Sequence, residues 1–442
     1  MDFAKRVRDH SYRIDPIVRS LLDTDFYKIL MSQFLWTRYP NVTTTWSVTN
    51  RTKTIKLSDF IDPRELIAQL NHVLKLRFAK SELIWLKGQT FYGQTGIFTN
   101  GFINALSTMH LPNFYVGEEV NGQIDLTFRG PSWAVSLWEI YALSIINELY
   151  ARSQMASMKA SELDIMYARA KVRLYEDLEA LADLPELNLT DFGTRRRHGF
   201  LWQEHCVLTA KEVLGERFTG TSNVYLAYKH DLEPKGTNAH ELPMMFAGLT
   251  RSQGGTAKDL VQSQYKVLQE WQSMYQGNLL VFLPDTFGTS QFLRNAPQWV
   301  SQWKGARPDS KEPMEAGYEL INYWKKNGLT DEAIAKDKLI IFSDGLTRDA
   351  IINIYNRFNG IVGIGFGWGT NFTNNFAGTV PNKPDAMKAI SLVCKLQKVN
   401  NKPCVKLSDV SGKETSSSVE EITFYLNNFG KEGRNDSSIP LV

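Results

Sequence analysis

The chain has 442 residues, 43% of them hydrophobic, which is ample for a large core shared among two or three domains. Its 50 basic and 47 acidic residues nearly cancel, which excludes a broad electrostatic footprint for nucleic acid or membrane. Three cysteines, Cys206, Cys394 and Cys404, form no CxxC pair, so neither a disulfide framework nor a zinc knuckle is expected, and a reducing cytoplasm fits.

The first sixteen residues carry no apolar run and do not read as a signal peptide. Val42–Val48 and Gln123–Phe128 alternate apolar and polar residues as strands do. Pro131–Tyr150 is the most membrane-like stretch, but Glu139 and Glu148 interrupt it, so a buried helix starting at Pro131 is the expectation. These elements form a first domain, 1–155.

From about residue 160 the texture changes: helical segments such as Lys159–Leu181 and Ser252–Tyr275 alternate with short apolar or β-prone runs. Seven runs stand out, namely Leu187–Phe192, Phe218–Asn223, Pro234–Ala239, Leu279–Pro284, Trp303–Arg307, Lys338–Phe342 and Ile361–Phe366. Repeated strand-then-helix predicts a parallel sheet closed or nearly closed into a barrel over 156–384. Ile390–Lys398 and Cys404–Ser408, joined by Val399–Pro403, read as a hairpin within 385–442 that returns to the N-terminal sheet; the tail Asn435–Val442 reads as frayed.

In such a barrel the working residues follow the strands. Asp191–His198 follows the first run, Thr221-Ser222-Asn223 ends the second, and His240 follows the third in a Gly/Thr/Asn loop. Asp285, Arg307-Pro308-Asp309-Ser310, Ser343-Asp344-Gly345 and Gly363–Asn371 follow the rest. A histidine, carboxylates, arginines and a glycine-rich turn on one face suit a phosphorylated, magnesium-complexed substrate. His240 can take a proton or a phosphoryl group, and Glu241 is a candidate to orient its ring. Each element also has a plainer reading: a tight turn for the glycines, a solvated face for Arg195-Arg196-Arg197, helix caps for Asp285 and Asp344, a structural role for His240. The glycine spacing is not GxGxxG, and no GxxxxGK[ST] occurs, which disfavours a dinucleotide fold and a Walker-type ATPase.

Seven blocks in order carry a resemblance: Asp23–Lys28, Asp191–Arg197, Gly220–Asn223, Gly236–Glu241, Phe342-Ser343-Asp344, Gly363–Thr370 and Lys402–Ser408. Together they resemble the nicotinate phosphoribosyltransferases, NAD-salvage enzymes of bacteria, over nearly the whole chain. The resemblance implies an N-terminal α/β sandwich, an irregular seven-stranded α/β barrel and a homodimer. It implies ATP-coupled, ligase-type synthesis of nicotinate mononucleotide from nicotinate and 5-phosphoribosyl 1-diphosphate, with Mg²⁺. By the same match, His240 would be transiently phosphorylated, and Asp285 would lie near the ribose and Mg²⁺. Tyr27 and Phe192 would sandwich the pyridine ring. Arg195 and Arg307 would face its carboxylate, Arg196 a phosphate, with Ser343, Asp344, Gly365, Gly367 and Thr370 cradling the 5-phosphate. One departure stands out: relatives carry Arg-x-Asp-Ser-Gly-Asp where this chain reads Arg307-Pro308-Asp309-Ser310-Lys311-Glu312. A nicotinamide- or quinolinate-using relative and a non-catalytic nucleotide-binding barrel are the alternatives.

Overall fold

The structure, a computed structural model, describes residues 15–434 apart from 92, 94, 412–413 and 415–417; the readings of segment 1–14 and of the tail Asn435–Val442 fall outside it. Two sheets organise the chain. The strand Thr43–Asn50 alternates buried and half-exposed side chains, as its sequence predicts, and forms the middle of a five-stranded antiparallel sheet. Leu392–Val399 pairs with it on one side, followed outward by Lys402–Pro403; Leu126–Pro131 and then Phe114–Val116 lie on the other. The hairpin is tighter than expected. Cys404–Ser408 is no strand; it crosses to the barrel, where the Leu407 N–H donates to the Thr286 carbonyl at 2.9 Å.

Pro131 ends a strand rather than starting a helix, pairing with Thr43. Proline is tolerated at such an edge because no ladder donor is required of it. The helix predicted from it is two, Ser132–Val135 and Trp138–Ala156. Both acids that interrupt the apolar run are buried and paired: Glu139 with Lys28 and Arg195, Glu148 with Arg152 and the Phe200 N–H. No helix among the described residues is long and apolar enough to cross a membrane.

The second sheet has six parallel strands in the order Phe218–Thr221, Leu189–Asp191, Gly363–Trp368, Leu339–Phe342, Gly305–Ala306, Val281–Phe282. The third run, Pro234–Ala239, is not a strand, so the sheet has six strands where the sequence suggests seven. The run makes one parallel bridge, Thr221 to Pro234, and Asn238 Nδ2 donates to the Val281 carbonyl at 2.9 Å. Its Pro and Gly suit a connection that spans the gap between the edge strands. The helix Ala160–Ala182 follows prediction within a residue, burying Leu163, Met166, Tyr167, Ala170, Leu174, Leu178 and Leu181 at three- and four-residue spacing. The helix expected over Ser252–Tyr275 instead starts at Ala257, after Gly254 in a left-handed turn and Thr256 as its cap.

The N-terminal segment is anchored against the parallel-sheet loops by charge. Arg197 is fully buried and meets both oxygens of Asp23 at 2.7 and 2.8 Å, with Gln203 Oε1 at 3.1 Å. Of the three consecutive arginines this one is structural. Arg197→Met leaves the Asp23 carboxylate buried with its main counter-charge gone, and should cost about 3–5 kcal/mol. The shift of the urea unfolding midpoint measures it, and adding Asp23→Asn should recover part of the loss.

Candidate active site

Gly236 brings the third barrel loop against the N-terminal helix Phe26–Arg38. A Cβ there would lie 2.8 Å from the Tyr27 nitrogen, so only glycine permits the approach. Four residues on, His240 opens the helix Glu241–Ser252 and is buried, but among polar groups. Its Nδ1 is 2.9 Å from Thr286 Oγ1; its Nε2 is 3.3 Å from Asp309 Oδ2 and 3.7 Å from Asp285 Oδ2. Burial and nearby Lys406 lower the imidazole pKa against the pull of the two aspartates, so the ring is neutral near pH 7. Asp309 would be raised by burial, yet the His240 hydrogen bond and Arg307 hold it well below the usual carboxylate range.

The expectation that Glu241 orients this ring is corrected. Successive helical residues point about 100° apart, and the Glu241 carboxylate pairs with Lys28 instead. Thr286 and Asp309 fix the imidazole.

His240 lines a cavity of 180 Å³ together with Tyr27, Phe192, Arg195, Arg196 and Arg307. Phe192 is aimed by the turn Asp191-Phe192-Gly193: its N–H donates to the Trp368 carbonyl, and the Gly193 N–H donates to Asp191 Oδ1 at 2.8 Å. Asp191 is buried, which pushes its carboxyl up to about 6, and it accepts from Thr221 and Gln203. Ser343, Asp344 and Thr370 also line the cavity, joined by Gly345 and Gly369. Ser343 Oγ donates to Asp309 Oδ1 at 2.8 Å.

Gly365 and Gly367 are not in this wall. Both stand inside the strand Gly363–Trp368, with their peptides in a ladder flanked on both sides, and both face the barrel lumen. A Cβ on Gly367 would sit 2.2 Å from the Phe192 ring, so the missing side chain seats that ring rather than a phosphate. The lumen itself is a second cavity of 590 Å³, sharing Phe192, Lys235, Gly236 and Arg307 with the first. It stays open because Asn188, Thr190, Thr219, Gly365 and Gly367 fill little of it.

Asp285 is fully buried behind Ser310 and His240. Ser310 Oγ donates to its Oδ2 at 2.7 Å, Lys406 lies 3.6 Å away, and its Oδ1 has no hydrogen-bond partner. Among the described residues no three His, Cys, Asp or Glu side chains converge as metal ligands. Asp285, the residue expected near the ribose and Mg²⁺, thus has an ammonium beside one oxygen and leaves the other unpaired. The Lys311 departure is harmless to the cavity: its ammonium turns away to Glu319, Glu315 and Ser290.

Four cations that sequence reasoning left unassigned also line the cavity: Arg51 just after the first strand, Lys235 from the run Pro234–Ala239, Lys395 from Leu392–Val399, and Lys406 from the crossing segment. A lysine inside the otherwise apolar run Leu392–Leu396 was the one legible sign. Burial, followed by crowding from Lys406, Arg195 and Arg51, lowers Lys395 to about 8, against the pull of Glu139. Burial and Arg195 likewise bring Arg196 down to about 10. One wall thus gathers positive charge suited to phosphates, and the facing loops hold carboxylates and a histidine.

Family models match the chain in two parts: the nicotinate phosphoribosyltransferase (NAPRTase) family over residues 187–431 and its N-terminal domain over residues 22–147. The chain belongs to the nicotinate phosphoribosyltransferase family. Solved structures agree. A nicotinate phosphoribosyltransferase from Porphyromonas gingivalis is 26% identical, with TM-score 0.79, over 93% of this chain and 100% of that one. One from Vibrio cholerae is 26% identical with TM-score 0.81 over 94% of each chain. A Saccharomyces cerevisiae protein described by the same activity is 26% identical with TM-score 0.79, over 94% of this chain and 99% of that one. Membership supports nicotinate phosphoribosyltransferase activity, with nicotinate and phosphoribosyl diphosphate as substrates.

Lys395 is charged below its lowered pKa and neutral above it, so anion affinity should fall as pH rises through about 8. Inorganic diphosphate should therefore raise the melting temperature more at pH 7 than at pH 9, and Lys395→Met should flatten that difference.

Proposed function

We propose that this chain joins nicotinate to 5-phosphoribosyl 1-diphosphate and couples the reaction to ATP through a phosphorylated His240. The observation that carries the reading is the position of His240. Both its ring nitrogens are engaged by side chains, and it shares one cavity wall with the aromatic pair and the arginines.

In the bond-forming step the pyridine nitrogen lone pair attacks C1 of the ribose. The C–O bond to diphosphate breaks, and the diphosphate leaves with that electron pair. Tyr27 and Phe192 hold the flat ring, and Arg195 or Arg307 receives its carboxylate, which a neutral amide would not satisfy. Arg51, Lys395 and Lys406 hold the departing diphosphate, while Asp309 and Asp344 offset cationic character at the sugar. Arg196, Ser343, Gly345, Gly369 and Thr370 are the nearest groups for the 5-phosphate. Magnesium arrives with the diphosphate substrate, not in a protein cage.

Nε2 is nucleophilic only in the tautomer whose proton sits on Nδ1, donating to Thr286 Oγ1. A phosphoryl group on Nε2 would displace Asp309, leaving it to Ser343 and Arg307. That rearrangement would alter the cavity in which the diphosphate sits, and it is how ATP hydrolysis would reach the otherwise balanced transfer. The three buried thiols, Cys206, Cys394 and Cys404, accord with a reducing cytoplasm. The cavity is lined by residues of one chain, and the homodimer that the resemblance implies would bring a second copy of it.

His240→Asn should keep slow ATP-independent formation of nicotinate mononucleotide and lose both ADP release and ATP stimulation. Assaying mononucleotide and ADP together, with and without ATP, checks it. ATP-stimulated turnover in the variant would overturn the phosphohistidine.

A further inference from the structure

Four side chains run in a line from the aromatic pocket to the histidine loop. Arg195 Nη1 meets Glu139 Oε1 at 3.2 Å, and Glu139 Oε2 meets Lys28 Nζ at 2.7 Å. Lys28, fully buried, also holds Glu241 Oε2 in a very short contact. The other oxygen of Glu241 is buried with no hydrogen-bond partner. One end of the line is the guanidinium offered to the aromatic acid; the other is the peptide neighbour of His240.

As it stands the line is neutral, with two cations against two carboxylates. A ligand carboxylate on Arg195 adds a third negative charge to a cluster whose other three members are buried, and it draws Arg195 off Glu139. Glu139 then claims more of Lys28, at the expense of Glu241. Of the three carboxylates, the one with a weakened partner and an unpaired oxygen is the least costly to neutralise.

We propose that an aromatic carboxylate binds together with a proton, and that Glu241 takes it up, so that filling the pyridine pocket is registered beside His240. This rests on the reading that Arg195 receives the acid. The groups facing Glu241 are Lys28 and Tyr27 on the helix Phe26–Arg38, Glu139 on the helix Trp138–Ala156, and Lys395 and Cys394 on the strand Leu392–Val399. Burial raises Glu241 to about 7 against Lys28, and Glu139 raises it further, whereas Lys28 and Arg195 outweigh burial and hold Glu139 down. The proton thus goes to the Glu241 end. Glu241 is a positioning residue in this scheme; it touches no reacting atom.

The test is nicotinate binding by titration calorimetry, without ATP or the diphosphate substrate, in two buffers of different ionisation enthalpy. The unmodified protein should take up roughly half a proton or more per nicotinate near pH 8, and its affinity should fall from about pH 6 to about pH 9. Glu241→Gln should lose the uptake and flatten that pH dependence. Should the variant fold poorly, the infrared difference spectrum of the unmodified protein should still gain a protonated-carboxyl band with nicotinate and none with neutral nicotinamide. Nicotinate binding without uptake, uptake retained in Glu241→Gln, or uptake without the infrared band would each overturn the proposal while leaving the enzyme reading intact. No nicotinate binding at all would overturn both.

Discussion

The segment Asp23–Lys28 enters the mouth of the barrel carrying three charges, and each must be met inside the protein. Asp23 is met by Arg197 and Asn223, Asp25 by Ser222, and Lys28 by Glu139 and Glu241. None of these partners is near in sequence, so the segment can settle only when the barrel loops are already in place. An unmet charge in such surroundings costs several kcal/mol, which makes the register of this insertion close to all-or-none. Tyr27, carried between Asp25 and Lys28, is placed by that register.

The cavity inherits its polarity from the same assembly. Its cations come from both sides: Arg51, Lys395 and Lys406 from the antiparallel sheet and the crossing C-terminal segment, Arg195, Arg196, Lys235 and Arg307 from the loops around the parallel sheet, which also supply His240 and Asp309. Neither half alone assembles the whole set. The crossing segment therefore does more than close a sheet. Through Asp409, which accepts from the Thr289 N–H and hydroxyl at 2.7 Å each, it ties the lysine-bearing strand to the loop after Val281–Phe282.

Much of this was readable in advance, for physical reasons. Thr43–Asn50 shows its alternation because one face is wet, and Ala160–Ala182 shows its stripe for the same reason. Where burial is two-sided or charges pair at long range, the code is silent. Pro131 suits a strand end and a helix start equally. The alternating glycines reveal a period of two but not which way it faces, so the resemblance suggests a cradle at Gly365 and Gly367, which line the second cavity instead. Glu241 adjoins His240 in sequence, and helix geometry parts them. Lys28, Glu139 and Lys395 lie so far apart along the chain that only the folded arrangement joins them.

The hollow lumen has one more consequence. Thr219, Leu339 and Ile341 are half-exposed although they sit on strands of the parallel sheet, so solvent reaches its inner surface. The partition between the two cavities is then thin, made by Phe192, Lys235, Gly236 and Arg307. High-permittivity medium lies directly behind it, and field lines from Arg307 leak into that medium. Arg307, itself buried and lining both cavities, therefore senses charge brought to either side of that partition.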